Sequence, residues 1–329
     1  MKAWVEYMHG QSKDDLWNTG FHFGDWLFYR PDDDNDGRAA VTDKYLIAQC
    51  FYAHSTQLLI DAAKVLGKME DAQAYTDLLD KIKAAFHKEY MTGNGRLVSG
   101  TQTAYVLALQ FDMLPDGLRQ QAAARLAENV KSYGYHLTTG FLGTPYLLEE
   151  LTKSGYAKLA YQLLLNTQYP SWGYMVEHGA TTMWERWNGD QMRDDPSMNS
   201  YNHYAYGAVA DWIYRYAAGI DTTPLDAGFH TIVLHPAFDA RLGKLDFDYA
   251  SSYGPIHSDW IANEESAEWR ITIPSNTTGW LPLSASEASR YKLDGETIST
   301  NKLAKSATRD GDTGFELAPG SYNFVVTQQ

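Results

Sequence analysis

The chain has 329 residues, a formal charge of −14, and 44% hydrophobic and 14% aromatic residues. That much apolar material excludes a disordered chain and suits one large core or two ordinary ones. The negative charge disfavours phosphate backbones and anionic lipid heads, so neither nucleic acid nor a membrane surface is expected as a partner.

The single cysteine, Cys50, rules out an internal disulfide and a cysteine-based zinc site. It lies in an apolar helical run, where burial as a small hydrophobe is expected. No run reaches the roughly 18 to 20 apolar residues of a membrane span, and "MKAWVEYMHGQ" lacks the basic-then-apolar layout of a secretory signal. The compartment is left open. Ten Trp and 23 Tyr are many; flat rings can serve as platforms for the C–H faces of sugars, although core filling is the plainer reading of any single ring.

In chain order, "MKAWVEYMH" opens a helix. "TDKYLIAQCFYAHSTQLLIDAAKVLG" follows, with Thr42 or Asp43 as N-cap and Gly67 as stop. Helical spacing recurs in "MEDAQAYTDLLDKIKAAFHKEY", "TQTAYVLALQFDML", "PDGLRQQAAARLAENVKSYG", "GFLGTPYLLEELTKSG", "YAKLAYQLLLNT" and "NSYNHYAYGAVADWIYRYAAG". Short connections predict antiparallel neighbours, about eight helices in all. "DTTPLDAG" then marks a boundary. Beyond it, "FHTIVLH", "KLDFDYA", "AEWRITI", "WLPLSA", "RYKLDG" and "SYNFVVT" alternate like strands of a small antiparallel sandwich. Residues 1–219 are therefore expected as a helical domain and 220–329 as a β-sandwich.

Four places could carry chemistry. In "GFHFGDWLFYR", Asp25 beside Trp26 suits hydroxyl binding with stacking; equally, Trp26 could anchor a loop whose turn Asp25 caps. In "RPDDDNDGRAAVTD", Asp32, Asp34 and Asp36 follow much of the spacing of a calcium loop. The usual last-position Glu is missing and Ala39 holds position eight, so a solvated acidic loop is the default. In "GATTMWERWN", Trp184 and Trp187 flank Glu185: they would exclude water and Arg186 could offset the cost, tuning the acid for proton transfer. The alternative is that Glu185 and Arg186 pair with partners elsewhere. His203 in "SYNHYAYG" starts a helix amid hydroxyls and amides, a setting for sugar binding or for a satisfied structural histidine; no metal set surrounds it.

Together these segments resemble the family 78 glycoside hydrolases, the α-L-rhamnosidases. "MKAWVEYM", "FGDWL", "SGTQTAYVLAL", "HLTTGFLGTPYLLEEL", "YPSWGYMVEHGATTMWERW", "SYNHYAYGAVADWIYR", "IPSNTTGWLPL" and "LAPGSYNF" carry the resemblance, in family order over nearly the whole chain. It implies an (α/α)6 barrel followed by a C-terminal β-sandwich, no cofactor, and cleavage of terminal α-L-rhamnosides with inversion. In that chemistry a carboxyl acid assists the leaving oxygen and a carboxylate about 6.5 to 9.5 Å away activates water. Glu185 falls on the family's "ATTxWERW" general base. His203 and Trp26 fall on substrate contacts, and Asp25 and Trp172 adjoin the same site.

The family's acid belongs to a "D-x-x-E-R-x-G-W-x-G-D" stretch, which these residues lack. About eight helices also fall short of six pairs, so the chain is expected to match the latter part of a rhamnosidase, beginning at a methionine internal in relatives. A barrel open in this way is expected to self-associate and to turn over poorly alone. If it turned over well, Asp25, Glu177 and Asp190 would be the first suspects for the acid. Two rival readings stand beside this one: another inverting (α/α)6 hydrolase for a neutral or deoxy hexose, and a carbohydrate-binding protein in which Glu185 only accepts a hydrogen bond.

Overall fold

The computed structural model describes residues 1–28, 41–194, 198–223 and 226–328. The loop with Asp32, Asp34 and Asp36 lies outside them. The chain divides into two compact units, Met1–Ala208 and Val209–Gln329.

In the first unit, α1 (Lys2–Gln11), α2 (Lys44–Val65), α3 (Met69–Tyr90), α4 (Gln102–Gln110), α5 (Arg119–Ser132), α6 (Thr144–Lys153) and α7 (Ala157–Leu164) precede a short α8 (Trp172–Glu177). The Asp43 carboxylate caps α2 by accepting from the Tyr45 and Leu46 amides. The helix is closed off by Gly67 at φ +66°, which glycine adopts without the Cβ clash. α2 packs along α3, α4 on α5, and α6 on α7. Every residue of α4 from Gln102 to Leu109 is buried, while α5 buries only a stripe through Ala122, Leu126 and Val130. The hairpins therefore have an inner and an outer member. α2 is also enclosed on most sides and buries Cys50 completely.

The second unit opens with α9 (Val209–Trp212) and a π-helical turn, Ile213–Ala217. Among the described residues eleven strands follow: β1 (Ile220–Asp221), β2 (Thr231–Leu234), β3 (Lys244–Ser251), β4 (Gly254–Ala262), β5 (Ser266–Ile273), β6 (Thr278–Pro282), β7 (Tyr291–Leu293), β8 (Glu296–Thr297), β9 (Ala304–Arg309), β10 (Asp312–Leu317) and β11 (Gly320–Thr327). They form a five-stranded sheet ordered β1-β2-β6-β10-β9 and a six-stranded sheet ordered β3-β4-β5-β11-β7-β8. All pairs are antiparallel except β2 with β6. Ile232, Leu281 and Phe315 of one sheet and Trp260, Trp269 and Phe324 of the other share one core. Burying each such side chain contributes about 1.5 to 3 kcal/mol.

Several elements differ from the sequence expectation. The helix expected across 199–219 is a non-helical stretch, then a 3-10 turn (Ala205–Ala208), α9 and the π turn. α8 has too few residues to display a period. β4 lies outside the expected strands because Ser258 interrupts its inward apolar row. That serine is fully buried, donating to Ala218 O at 2.7 Å and accepting from the Trp269 indole N–H at 3.0 Å.

Candidate active site

Two short segments lie side by side in the first unit. The Glu185 N–H donates to Ser200 O (2.8 Å) and the His203 N–H to Met183 O (2.9 Å), clamping 183–185 against 200–203. The Glu185 side chain turns to the same partner, its Oε2 accepting from the Ser200 N–H at 2.9 Å. Among the described residues nothing donates to Oε1. Glu185 is 9% exposed, between Trp184 at 4% and Trp187 at 3%. Its partner is a main-chain amide, not a cation.

His203 lies in this clamp, ahead of the 3-10 turn. Its Nδ1 accepts from the Ala205 N–H at 3.2 Å, which leaves the ring proton on Nε2 as a donor. The ring stacks with Phe141 at 4.8 Å and with Tyr204 at 5.6 Å.

Asp25 makes its hydrogen bonds within the protein. It is buried, and both its oxygens are taken by protein donors: Oδ2 by the Thr103 hydroxyl and the Gly140 N–H (2.8 Å), Oδ1 by the Leu142 (2.7 Å) and Gly143 (3.3 Å) N–H groups. Burial pushes its carboxyl upward, and these four donors pull the other way. Asp25 thus knots the Trp26 segment to the loop entering α6. Gly140 is required at the crossing, since a Cβ there would lie 2.2 Å from Trp26 O. Trp172 is likewise enclosed, 6% exposed, with its indole N–H donating to Tyr206 O at 2.9 Å. It has little surface to offer a ligand.

Trp26 is 40% exposed. With Trp4, Trp17, Phe23, Phe51 and Phe141 it walls an apolar cavity of about 650 Å³, which Glu185 and His203 do not line. The structure thus joins Asp25, Trp26 and His203 through Phe141, whose N–H donates to Trp26 O at 2.9 Å. Sequence reasoning missed Phe141 and the fully buried Tyr206, which stacks on Trp187 at 3.9 Å. The only signal for either was its place inside a segment that carried the resemblance.

Residues 1–217 match the family model of the bacterial alpha-L-rhamnosidase 6 hairpin glycosidase domain, and 219–297 that of the bacterial alpha-L-rhamnosidase C-terminal domain. The chain belongs to the bacterial α-L-rhamnosidase family. Within it, the chain is 38% identical to an α-L-rhamnosidase of Streptomyces avermitilis over 98% of its own length and 30% of the relative's. An α-L-rhamnosidase of Formosa agariphila is 37% identical, with 98% and 35% covered. The crystal structure of the Streptomyces avermitilis α-L-rhamnosidase complexed with L-rhamnose superposes with a TM-score of 0.83 at 36% identity, covering 99% of this chain and 30% of that one. The chain therefore spans about a third of the length of these rhamnosidases. Its fold is the six-hairpin glycosidase domain with the rhamnosidase C-terminal β domain.

Proposed function

We propose that the chain is the part of an inverting α-L-rhamnosidase that supplies the water-activating base, acting on a terminal L-rhamnose of a glycoside or oligosaccharide. Glu185 is the base in this reading. The observation that carries it is the division of labour on its carboxylate: Oε2 is fixed by the Ser200 N–H, and Oε1 meets no donor among the described residues. A carboxylate held at one oxygen keeps its orientation while the other oxygen accepts the proton of a water. His203, with its proton on Nε2, donates to a sugar hydroxyl, and Trp26 offers an exposed indole face. The names of the relatives and the L-rhamnose held by one of them support the sugar assignment.

Asp25 and Trp172 serve this site from behind, by holding its walls. The motif in which relatives are expected to carry the acid is absent from the 329 residues. A dinitrophenyl α-L-rhamnoside releases its aglycone as the stable dinitrophenolate, which needs no proton, and so isolates the base step. The chain is expected to cleave it slowly with β-L-rhamnose as first product, and Glu185→Gln to abolish cleavage while keeping L-rhamnose binding. Undiminished cleavage by Glu185→Gln would sink the reading. Binding of L-rhamnose without any cleavage would favour a carbohydrate-binding protein, and preference for another aryl glycoside a different neutral sugar.

Self-association is part of the same proposal. Trp4 (50% exposed), Tyr7 (54%), Phe21 (77%) and Phe23 (72%) expose large rings, Trp4 stacked on Tyr7 and Phe21 edge-on to Phe23, and exposed apolar rings that adjoin one another favour association.

A further inference from the structure

Tyr206 is joined to several parts of the site at once. Its hydroxyl donates to Leu27 O at 2.6 Å, and its carbonyl accepts from the Trp172 indole N–H at 2.9 Å. Its ring stacks on Trp187 at 3.9 Å and 20°, and meets Phe141 edge-on at 5.5 Å. The side chain is completely buried, and burial holds its hydroxyl well above the usual phenol range, so it remains a donor. Leu27 itself has φ +54°, a left-handed backbone that is strained for a leucine and persists only where surrounding bonds impose it. The Tyr206 hydroxyl is such a bond, on the carbonyl of the residue after Trp26.

We propose that Tyr206 is the positioning residue of the sugar site. Its hydroxyl holds Leu27 in the left-handed conformation and so aims the Trp26 indole. Its ring fixes Trp187, two residues from Glu185. One side chain thereby sets the sugar platform and the base in a common frame. The inference rests on the reading that Trp26 and Glu185 serve one sugar, and it adds a residue to which that reading gave no role.

Tyr206→Phe keeps the ring stack and removes only the strap to Leu27. In the 329-residue chain it is expected to weaken L-rhamnose binding about five- to tenfold, the loss of one buried hydrogen bond. It should also speed amide exchange across 24–28, where Leu27 is released. Leu27→Gly in the Tyr206→Phe background should regain part of the affinity, because glycine adopts the left-handed backbone without the strap. A merely structural tyrosine predicts no such rescue. Unchanged binding and unchanged exchange at 24–28 in Tyr206→Phe would overturn the proposal and leave the rhamnosidase reading standing. If the unsubstituted chain binds no L-rhamnose, that reading falls, and the exchange comparison alone decides for or against the strap. If Tyr206→Phe fails to fold, Leu27→Gly in the parent chain decides: with the strap intact it should leave exchange at 24–28 near the parent's, and a collapse of protection there would overturn the proposal.

Discussion

His257 and Asp248 face each other across the β3–β4 ribbon, Nδ1 2.8 Å from Oδ1. Nε2 of the same ring lies 2.8 Å from Asp259 Oδ1 and 3.9 Å from Asp246, and Arg270 on β5 bonds Asp259 in turn. A ring bonded to carboxylates at both nitrogens donates from both, and these bonds, to Asp248 first, hold its pKa above the ordinary 6.5. Because the folded value is raised, the stabilisation is whole below about pH 6.5 and fades as pH rises through the folded value. Water screens so exposed a cluster, so the effect should stay under about 1 kcal/mol. An NMR titration of the His257 ring should give a midpoint above the ordinary value that falls in Asp248→Asn; a midpoint at or below it contradicts the geometry.

Asp25→Asn should destabilise the first unit by about 2 to 4 kcal/mol, because an amide group cannot accept from donors on both of its arms. Thr103→Val removes one of the four bonds and should cost about 1 to 2 kcal/mol. Denaturant unfolding of the three proteins side by side measures the difference, and equal stabilities would mean the knot is slack.

Gly140→Ala forces a Cβ toward Trp26 O, Asp25 Oδ1 and Phe28 N, all main-chain or anchored atoms. A loss of at least about 2 kcal/mol is expected. Gly10→Ala is the control: nothing lies within 4 Å of its Cβ, and it sits in α1, so a gain of about 0.5 to 1 kcal/mol is expected. Thermal midpoints moving together would contradict this contrast.

The isolated chain should depend steeply on its leaving group, with dinitrophenyl rhamnoside turned over about 10² to 10⁴ times faster than an alkyl rhamnoside, the usual contribution of a general acid. A shallow dependence would point to an acid within the chain. Asp190, which accepts from the Tyr174 hydroxyl at 3.0 Å, and the exposed Glu177 would then be tested before the enclosed Asp25.

Exchanging Phe21 and Phe23 for serine should lower the apparent mass of the chain in light scattering at micromolar concentration, since both rings stand more than two-thirds exposed. A monomer before and after the exchange would end the self-association proposal.

Long helices were the most legible part of the sequence. α2 and α3 each run 22 residues, long enough for apolar spacing to accumulate, with a cap or glycine at an end. The connections that build the site carry no period. Asp25 meets the Gly140 N–H across 115 positions, and Glu185 meets Ser200 through main-chain atoms that every residue shares. Tyr206 is one of 23 tyrosines, and its distinction lies in what it touches. Even the tryptophans around Glu185 look in the sequence like a local setting, whereas Trp187 stacks on a ring contributed from 19 residues onward.

β11, the last strand of the sandwich, lies between β5 and β7, with Tyr322, Phe324 and Val326 in the core. During synthesis, then, β5 waits with a bare hydrogen-bonding edge until residues 320–327 have left the ribosome. Zipping of neighbouring hairpins cannot complete this unit, and its assembly is held to one late, long-range event. A nascent chain stalled short of β11 should present that edge to chaperones or to other nascent copies.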